Sequence, residues 1–247
     1  MDPNLGFNPF TFLFLGGTFL AALVASTSGF AFGIVAAAIW LYILNPLQTA
    51  TLIIVLGFVV QGYAVWKLRH ALNWRRLAPL LAGAALGVPI GVFTVSYINE
   101  HAVKIGVGIV LILFSLHALI GLAVKPIKSD AVAGDVTAGF LNGILGGATG
   151  LAGIVAIIWC QLRGWTKDQQ RAVFQPVGVA TFIMSAIWLG GRGAISSDVI
   201  WLAVFALPVL LAGTWIGMKL YGRLSETQFR KVILALLLIS GVALILA

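Results

Sequence analysis

Long apolar segments separated by short polar turns follow one another from about residue 10 onward. Apolar runs of about 18 residues or more are typical of transmembrane helices. The first segment covers about 35 residues, from Phe10 to Leu44, and so exceeds the ~20 residues that one span requires. Small and hydroxyl residues interrupt it at Ser26–Gly29. The pattern therefore predicts two pieces of about 16 residues each, arranged as half-helices or as a helical hairpin.

The same order of segments occurs in both halves of the chain. A second long segment, at residues 136–162, is interrupted at Gly146–Gly150. Three uninterrupted apolar segments follow each interrupted one, and each of them has the length of a membrane span. These predicted spans lie at residues 48–66, 77–95 and 103–124 in the first half, and at 172–189, 199–220 and 232–247 in the second.

Short motifs also recur at matching places in the two halves, which indicates an internal repeat. Each interruption places a hydroxyl residue directly before a glycine, and each half later contains two glycines four residues apart. We interpret the later glycine pairs as close helix crossings, because small residues at this spacing let two helix backbones approach. The matching motifs are Ser28-Gly29 with Thr149-Gly150, Gly33 with Gly153, and Gly87-x-x-x-Gly91 with Gly213-x-x-x-Gly217.

Composition supports a membrane protein and excludes several other classes. The chain of 247 residues is 61% hydrophobic and 9% charged, whereas soluble domains contain about 25% charged residues. Its net charge of +8 does not indicate a nucleic-acid partner, because the basic residues lie at span ends rather than on one continuous polar face. Cys160 is the only cysteine, so an internal disulfide and a cysteine-based metal site are excluded. We expect no cofactor and no metal.

The positions of the basic residues predict how the repeats are oriented. If each interrupted segment turns back on itself, ten basic residues fall on one side of the membrane and two on the other. If each crosses once, the same twelve divide seven to five. Basic loops stay in the cytoplasm, so the first arrangement is favoured. The ten are Lys67, Arg69, Arg75, Arg76, Lys125, Lys128, Arg163, Lys167, Lys219 and Arg223, and the two are Lys104 and Arg192.

The predicted fold is therefore an all-α polytopic membrane protein with two inverted repeats, each a broken-helix hairpin followed by three transmembrane helices. Residues 1–247 form a single membrane transport domain. Repeat 1 covers about 10–124, a polar linker covers 125–135, and repeat 2 covers about 136–247. The expected location is the bacterial inner membrane, with both termini outside. Inverted repeats with interrupted helices are typical of secondary transporters, which bind substrate near the interruptions.

The two interruptions are candidate anion sites. A helix that restarts after a break presents unpaired amide groups and the positive end of its dipole. Ser28 and Thr149 could cap these helices or donate their hydroxyls to a ligand, and Gly29 and Gly150 permit close backbone approach. The alternative is a kinked helix whose Ser and Thr hydroxyls bond back to its own carbonyls.

Polar residues elsewhere extend this candidate site. Arg171 can hold an oxyanion through two hydrogen bonds, and Gln175 shares its helical face four residues later. Pro176 disturbs the helix at this point. The alternative for Arg171 is a side chain that extends to the lipid headgroups. Gln61 lies in the middle of a span, where its amide either serves the site or bridges two helices.

Two further polar residues lie within apolar segments. His117 and Asn142 are candidates for a proton or polar relay, and the alternative for each is a structural hydrogen bond. The seven acidic residues all fall near span ends or in loops, so no carboxylate proton relay is evident. The sequence contains no metal-binding, phosphate-binding or hydrolase motif, and we do not expect an enzyme.

The sequence resembles the TauE/SafE sulfite exporter family of bacterial membrane permeases over nearly its whole length. The similarity lies in the two-repeat layout, in the Ser28-Gly29 and Thr149-Gly150 motifs, and in two longer stretches. These are Asn73-Trp74-Arg75 leading to Gly87-x-x-x-Gly91, and Gln170-Arg171-Ala-Val-Phe-Gln-Pro176. The resemblance implies transport of a small sulfur-containing anion, such as sulfite, a sulfonate or an organosulfur acid.

We therefore expect a secondary transporter, acting as an exporter, that works by alternating access between the repeats. With the cell interior negative, outward movement of one negative charge gains about 2.3 kcal/mol per 100 mV, so no coupling ion is required. The alternatives are an anion channel with the same fold and a non-transporting accessory subunit. The expected partners are the small anion and the lipid bilayer, and a homodimer is left open.

Overall fold

The computed structural model describes residues 9–68, 72–95, 97–120, 132–220 and 226–246. These residues form ten α-helices and contain no strand, which confirms the predicted all-α class. Residues 125–131 of the predicted linker lie outside the described part. The helices are α1 (Pro9–Ser28), α2 (Phe32–Trp40), α3 (Pro46–Leu68), α4 (Trp74–Val95), α5 (Glu100–Ile120), α6 (Val132–Thr149), α7 (Ile154–Leu162), α8 (Lys167–Gly191), α9 (Ser197–Leu220) and α10 (Glu226–Leu246).

The first interruption divides its segment unevenly, so the prediction of two pieces of about 16 residues was wrong. Helix α1 has 20 residues and α2 has only nine. Helix α1 continues through the hydroxyl residues, where Ser26 donates to the carbonyl of Ala22 at 2.8 Å and Thr27 to that of Val24 at 2.9 Å. It ends at Ser28, directly before Gly29, whose φ of 88° only glycine adopts readily.

Helix α2 folds back along α1. The indole Nε1 of Trp40 lies 3.4 Å from the carbonyl oxygen of Phe14, and a Cβ atom added to Gly17 would lie 3.0 Å from the side chain of Ile39. Nine residues of α-helix extend about 14 Å, which is less than half of the ~30 Å hydrocarbon core. Helix α2 is therefore too short to cross the hydrocarbon core, and helices α1 and α2 form a hairpin whose tip lies near Gly29.

Helices α6 and α7 form a second hairpin with the same proportions. Helix α6 has 18 residues and α7 has nine. Trp159 of α7 donates its indole N–H to the carboxylate of Asp135 in the first turn of α6, with an N–O distance of 2.7 Å. The tip contains two glycines with positive φ, 74° at Gly150 and 103° at Gly153. Each hairpin is followed by three longer helices, as predicted.

Five helices of the described part are long and apolar enough to cross a membrane. Shorter apolar helical stretches cover residues 46–62 and 237–246. Much of the apolar surface of the long helices is exposed, as at Trp201 and Leu113, which is expected where lipid replaces water. The chain is a multi-pass membrane protein. The five spans are Pro9–Thr27, Trp74–Val95, Glu100–His117, Gln169–Gly191 and Ser197–Leu220.

The two halves pack against each other through pairs of corresponding helices. Helix α4 packs on α6 and α9 packs on α1, while α3 packs on α8 and α5 on α10. A Cβ atom added to Gly87 would collide with the carbonyl of Phe140, and one added to Gly213 would lie 2.7 Å from the carbonyl of Phe19. The glycine pairs are therefore sites of close helix crossing, as predicted.

Candidate substrate-binding site

The two hairpin tips meet in the interior of the protein. A Cβ atom added to Gly33, just after the first tip, would lie 3.2 Å from the carbonyl oxygen of Gly150 in the second tip. The side chain of Ile53 from α3 contacts both places, at 3.0 Å from the Gly33 position and 2.8 Å from the Gly150 position. Glycine is required at Gly150 because of both its positive φ and this close packing. The fold thus brings together two interruptions that lie far apart in the sequence.

Helix α8 supplies the polar side chains of the first tip. The amide N–H of Gln175 donates to the carbonyl oxygen of Gly29, with an N–O distance of 3.0 Å. A Cβ atom added to Gly29 would lie 2.9 Å from Nε2 of Gln175 and 3.8 Å from Nε of Arg171. Gln175 is buried and Arg171 is half-buried. The predicted shared face of these two residues is therefore directed at the first tip.

The start of α8 is fixed by a reciprocal cap. The hydroxyl of Thr166 accepts from the backbone N–H of Gln169 at 3.5 Å, and the side chain of Gln169 accepts from the N–H of Thr166 at 3.2 Å. Helix α8 then continues through Pro176 without a break. Because proline has no N–H, the carbonyl of Ala172 loses its usual partner within the helix. This leaves an acceptor one residue after Arg171.

Three aromatic side chains pack together at the first tip. The ring of Phe30, the residue after Gly29, packs edge-on against Phe114 of α5 at 5.8 Å and against Phe174 of α8 at 5.9 Å between ring centroids. Edge-to-face pairs of this kind hold rings in a defined orientation. Sequence analysis did not identify these three residues. Two signals in the sequence could have indicated them: Phe30 is an aromatic residue inside a break of small residues, and Phe174 directly precedes Gln175.

At the second tip, the hydroxyl of Thr149 bonds to its own backbone surroundings. It donates to the carbonyl of Leu145 at 2.7 Å and accepts from the N–H of Leu151 at 3.2 Å. These are the internal bonds that the alternative interpretation of the break anticipated. The hydroxyls of Ser26 and Thr27 bond back in the same manner at the first tip. The side chain of Ser28 lies outside the described residues.

Asn142 of α6 caps the start of α7. Its side-chain oxygen accepts from the N–H of Gly153 at 2.9 Å and from that of Ala156 at 3.4 Å. Its amide nitrogen lies 3.3 Å from the hydroxyl of Thr181 on α8, to which it donates. The side chain of Asn142 is fully buried. A protein side chain therefore binds two of the amide groups that made this break a candidate anion site, which leaves the first tip as the better candidate.

The two remaining candidates, Gln61 and His117, lie in different parts of the protein. Gln61 is buried, and its Oε1 would lie 3.1 Å from a Cβ atom added to Gly178, three residues after Gln175. His117 instead lies 3.1 Å from Oε1 of Gln161, near the end of α7 that is remote from the tip. The structure thus places Gln61 against α8, about one helical turn from Gln175. It does not bring His117 to the same place.

The chemical character of the first tip suits a small anion. Its described side chains include the guanidinium of Arg171, the amide of Gln175 and three aromatic rings. Groups of three or more His, Cys, Asp or Glu residues that could hold a metal are absent from the described part of the chain. A fixed guanidinium beside an amide and a tightly turned backbone can neutralise and orient one oxyanion.

Two helical hairpins whose tips meet inside a multi-pass helical protein, next to Arg171 and Gln175, are an arrangement typical of membrane transporters. The model of the family described as "Sulfite exporter TauE/SafE" matches residues 13–244, and the chain belongs to this family of transporters. Over 186 residues it is 25% identical to the "Probable sulfite/organosulfonate exporter TauE" of Cupriavidus necator. That similarity covers 73% of this chain and 71% of the relative. No solved structure matches the chain.

Proposed function

We propose that this protein exports a small sulfur-containing anion, either sulfite, a sulfonate or a related organosulfur acid. The observation that carries the proposal is the convergence of Arg171 and Gln175 on Gly29 in a chain of the TauE/SafE family. The printed name of the relative from Cupriavidus necator supports the same substrate class. A sulfonate or sulfite group carries its charge on oxygen atoms that a guanidinium can contact in pairs.

In this proposal Arg171 neutralises the anion and Gln175 orients it against the first tip. Gly29 lets the anion approach the backbone, and the neighbouring hydroxyl of Ser28 is a further donor. Thr149 and Gly150 form the facing wall. Because the hydroxyl of Thr149 already bonds to the backbone of Leu145 and Leu151, its main role in this proposal is to hold the shape of the second tip.

The packing of each hairpin against a helix of the other half supports an alternating-access mechanism. Since α4 pairs with α6 and α9 with α1, each hairpin is carried by a long helix of the other half. We infer that the halves are inverted repeats and that they rock about the meeting point of the tips. The expected orientation has both termini outside the inner membrane, because ten of twelve turn-located basic residues then face the cytoplasm.

The test is sulfite and sulfonate flux through purified protein in proteoliposomes. Arg171→Ala should abolish saturable flux, and Arg171→Lys should retain part of it, since lysine keeps the charge but not the paired hydrogen bonds. Arg75→Ala is the matched control, because Arg75 is an exposed cation in the first turn of α4 and should leave flux unchanged. Wild-type flux in Arg171→Ala would overturn the assignment of this site. Flux that does not saturate and is not accelerated by substrate on the opposite side would indicate a channel.

A further inference from the structure

One half of the Gln175 amide is satisfied and the other is not. The side chain is buried, with 4% of its surface exposed. Its Nε2 donates to the carbonyl of Gly29 at 3.0 Å. Its Oε1 is buried and has no hydrogen-bond partner in the described part of the chain. Because both atoms are attached to the same carbon, the unsatisfied acceptor lies beside the first tip, on the same side of α8 as Arg171.

The orientation of this amide is determined by its surroundings. If the amide were turned by 180°, Oε1 would face the carbonyl oxygen of Gly29, and two acceptors would oppose each other at hydrogen-bond distance. The Gly29 carbonyl cannot donate, so only the observed orientation gives a hydrogen bond. Oε1 is thus an acceptor that the fold holds in place.

A buried acceptor without a partner costs free energy, and a functional site is where such a cost is commonly tolerated. The first tip therefore offers two complementary groups, one guanidinium charge and one amide acceptor. A single guanidinium balances one negative charge, and a dianion would leave an excess charge in a low-dielectric interior. The acceptor in turn requires a ligand atom that carries hydrogen.

We propose that the transported anion is a monoanion bearing its own hydrogen-bond donor, an O–H or N–H group, which Oε1 of Gln175 accepts. This rests on the proposed function and narrows it. Hydroxy-substituted sulfonates and protonated sulfite satisfy the requirement. Plain alkylsulfonates and the sulfite dianion do not. Gln175 is thus a specificity-determining residue, and Arg171 supplies binding without this selectivity.

The test uses pairs of sulfonates that differ by one hydroxyl group, in competition for counterflow into proteoliposomes of the full chain. The pairs are methanesulfonate with hydroxymethanesulfonate and ethanesulfonate with 2-hydroxyethanesulfonate. We expect the hydroxylated member of at least one pair to compete about tenfold better, equivalent to about 1.4 kcal/mol. Equal competition within both pairs would overturn the inference, and would indicate that only a water molecule satisfies Oε1. Absence of flux for every sulfur oxyanion would instead overturn the proposed function.

A variant gives an independent readout. Gln175→Met keeps the side-chain length and removes the acceptor, so the preference for the hydroxylated anion should fall to about equal competition while Arg171 still binds both. A variant that keeps the tenfold preference would refute the role of Gln175. If this variant is not monodisperse after purification, Gln175→Glu keeps an oxygen acceptor and replaces the test. Its carboxylate should pair with Arg171 and weaken binding of both anions, and unchanged affinity would count against the site.

Discussion

The conformation of Gly29 makes a sharp prediction for the first tip. Its φ of 88° is unfavourable for any residue with a Cβ atom, and the Gly29→Ala change therefore introduces strain of about 1–2 kcal/mol. The new Cβ atom would also lie 2.9 Å from Nε2 of Gln175. To relieve that contact, the glutamine must move away and give up its hydrogen bond to the Gly29 carbonyl. Leaving these buried groups unpaired costs a further ~1–3 kcal/mol.

The two contributions together give a destabilisation of roughly 2–5 kcal/mol, which corresponds to a fall in Tm of at least about 4 °C for a chain of this size. The assay is thermal unfolding of the purified protein in detergent, combined with sulfonate flux in proteoliposomes. Flux should fall together with Tm, because the displaced Gln175 no longer faces the anion.

The control is Gly16→Ala in the same helix α1. A Cβ atom added there meets nothing within 4 Å. Alanine is favoured over glycine within a helix by about 0.5–1 kcal/mol, so this variant should be as stable as wild type or slightly more stable. If Gly29→Ala and Gly16→Ala had the same Tm and the same flux, the geometry of the first tip described above would be refuted.

Two further variants test the packing of the halves and the second tip. Gly87→Ala should lower the free energy of unfolding by about 3 kcal/mol or more, with a matching fall in Tm. The reason is that its Cβ atom collides with the Phe140 backbone, so α4 must separate from α6. A Tm within about one degree of wild type would contradict this close crossing of α4 and α6. Asn142→Leu should cost about 1–3 kcal/mol, since the amides of Gly153 and Ala156 lose their acceptor. Thermal unfolding that is unchanged in this variant would contradict the capping role.

Much of the architecture is readable from the sequence because membrane insertion imposes local rules. An apolar run must be long enough to span the bilayer, and a break within it must be shielded from lipid. Hydropathy alone therefore locates the longer helices and both interruptions. The pairing of Arg171 with Gln175 is equally local, since residues four apart share a helix face. The spacing of Gly87 and Gly91 indicates a crossing for the same reason.

Other features depend on contacts between distant parts of the chain. Asn142 serves as a cap only because α6 lies alongside the start of α7. In the sequence, a buried asparagine has the same appearance whether it binds a ligand or a backbone amide.

The sequence by itself determines that this is a multi-pass membrane protein with two interrupted segments, since hydrophobicity and helix-breaking residues act over a few turns. Only the tertiary structure decides that the two tips meet and that Gln175 of α8 bonds to Gly29. The Gln175–Gly29 bond joins residues 146 positions apart, and both contacts arise from helix packing in three dimensions. The packing also leaves Oε1 of Gln175 without a hydrogen-bond partner among the described residues, because Nε2 of the same amide already donates to a backbone carbonyl of the first hairpin.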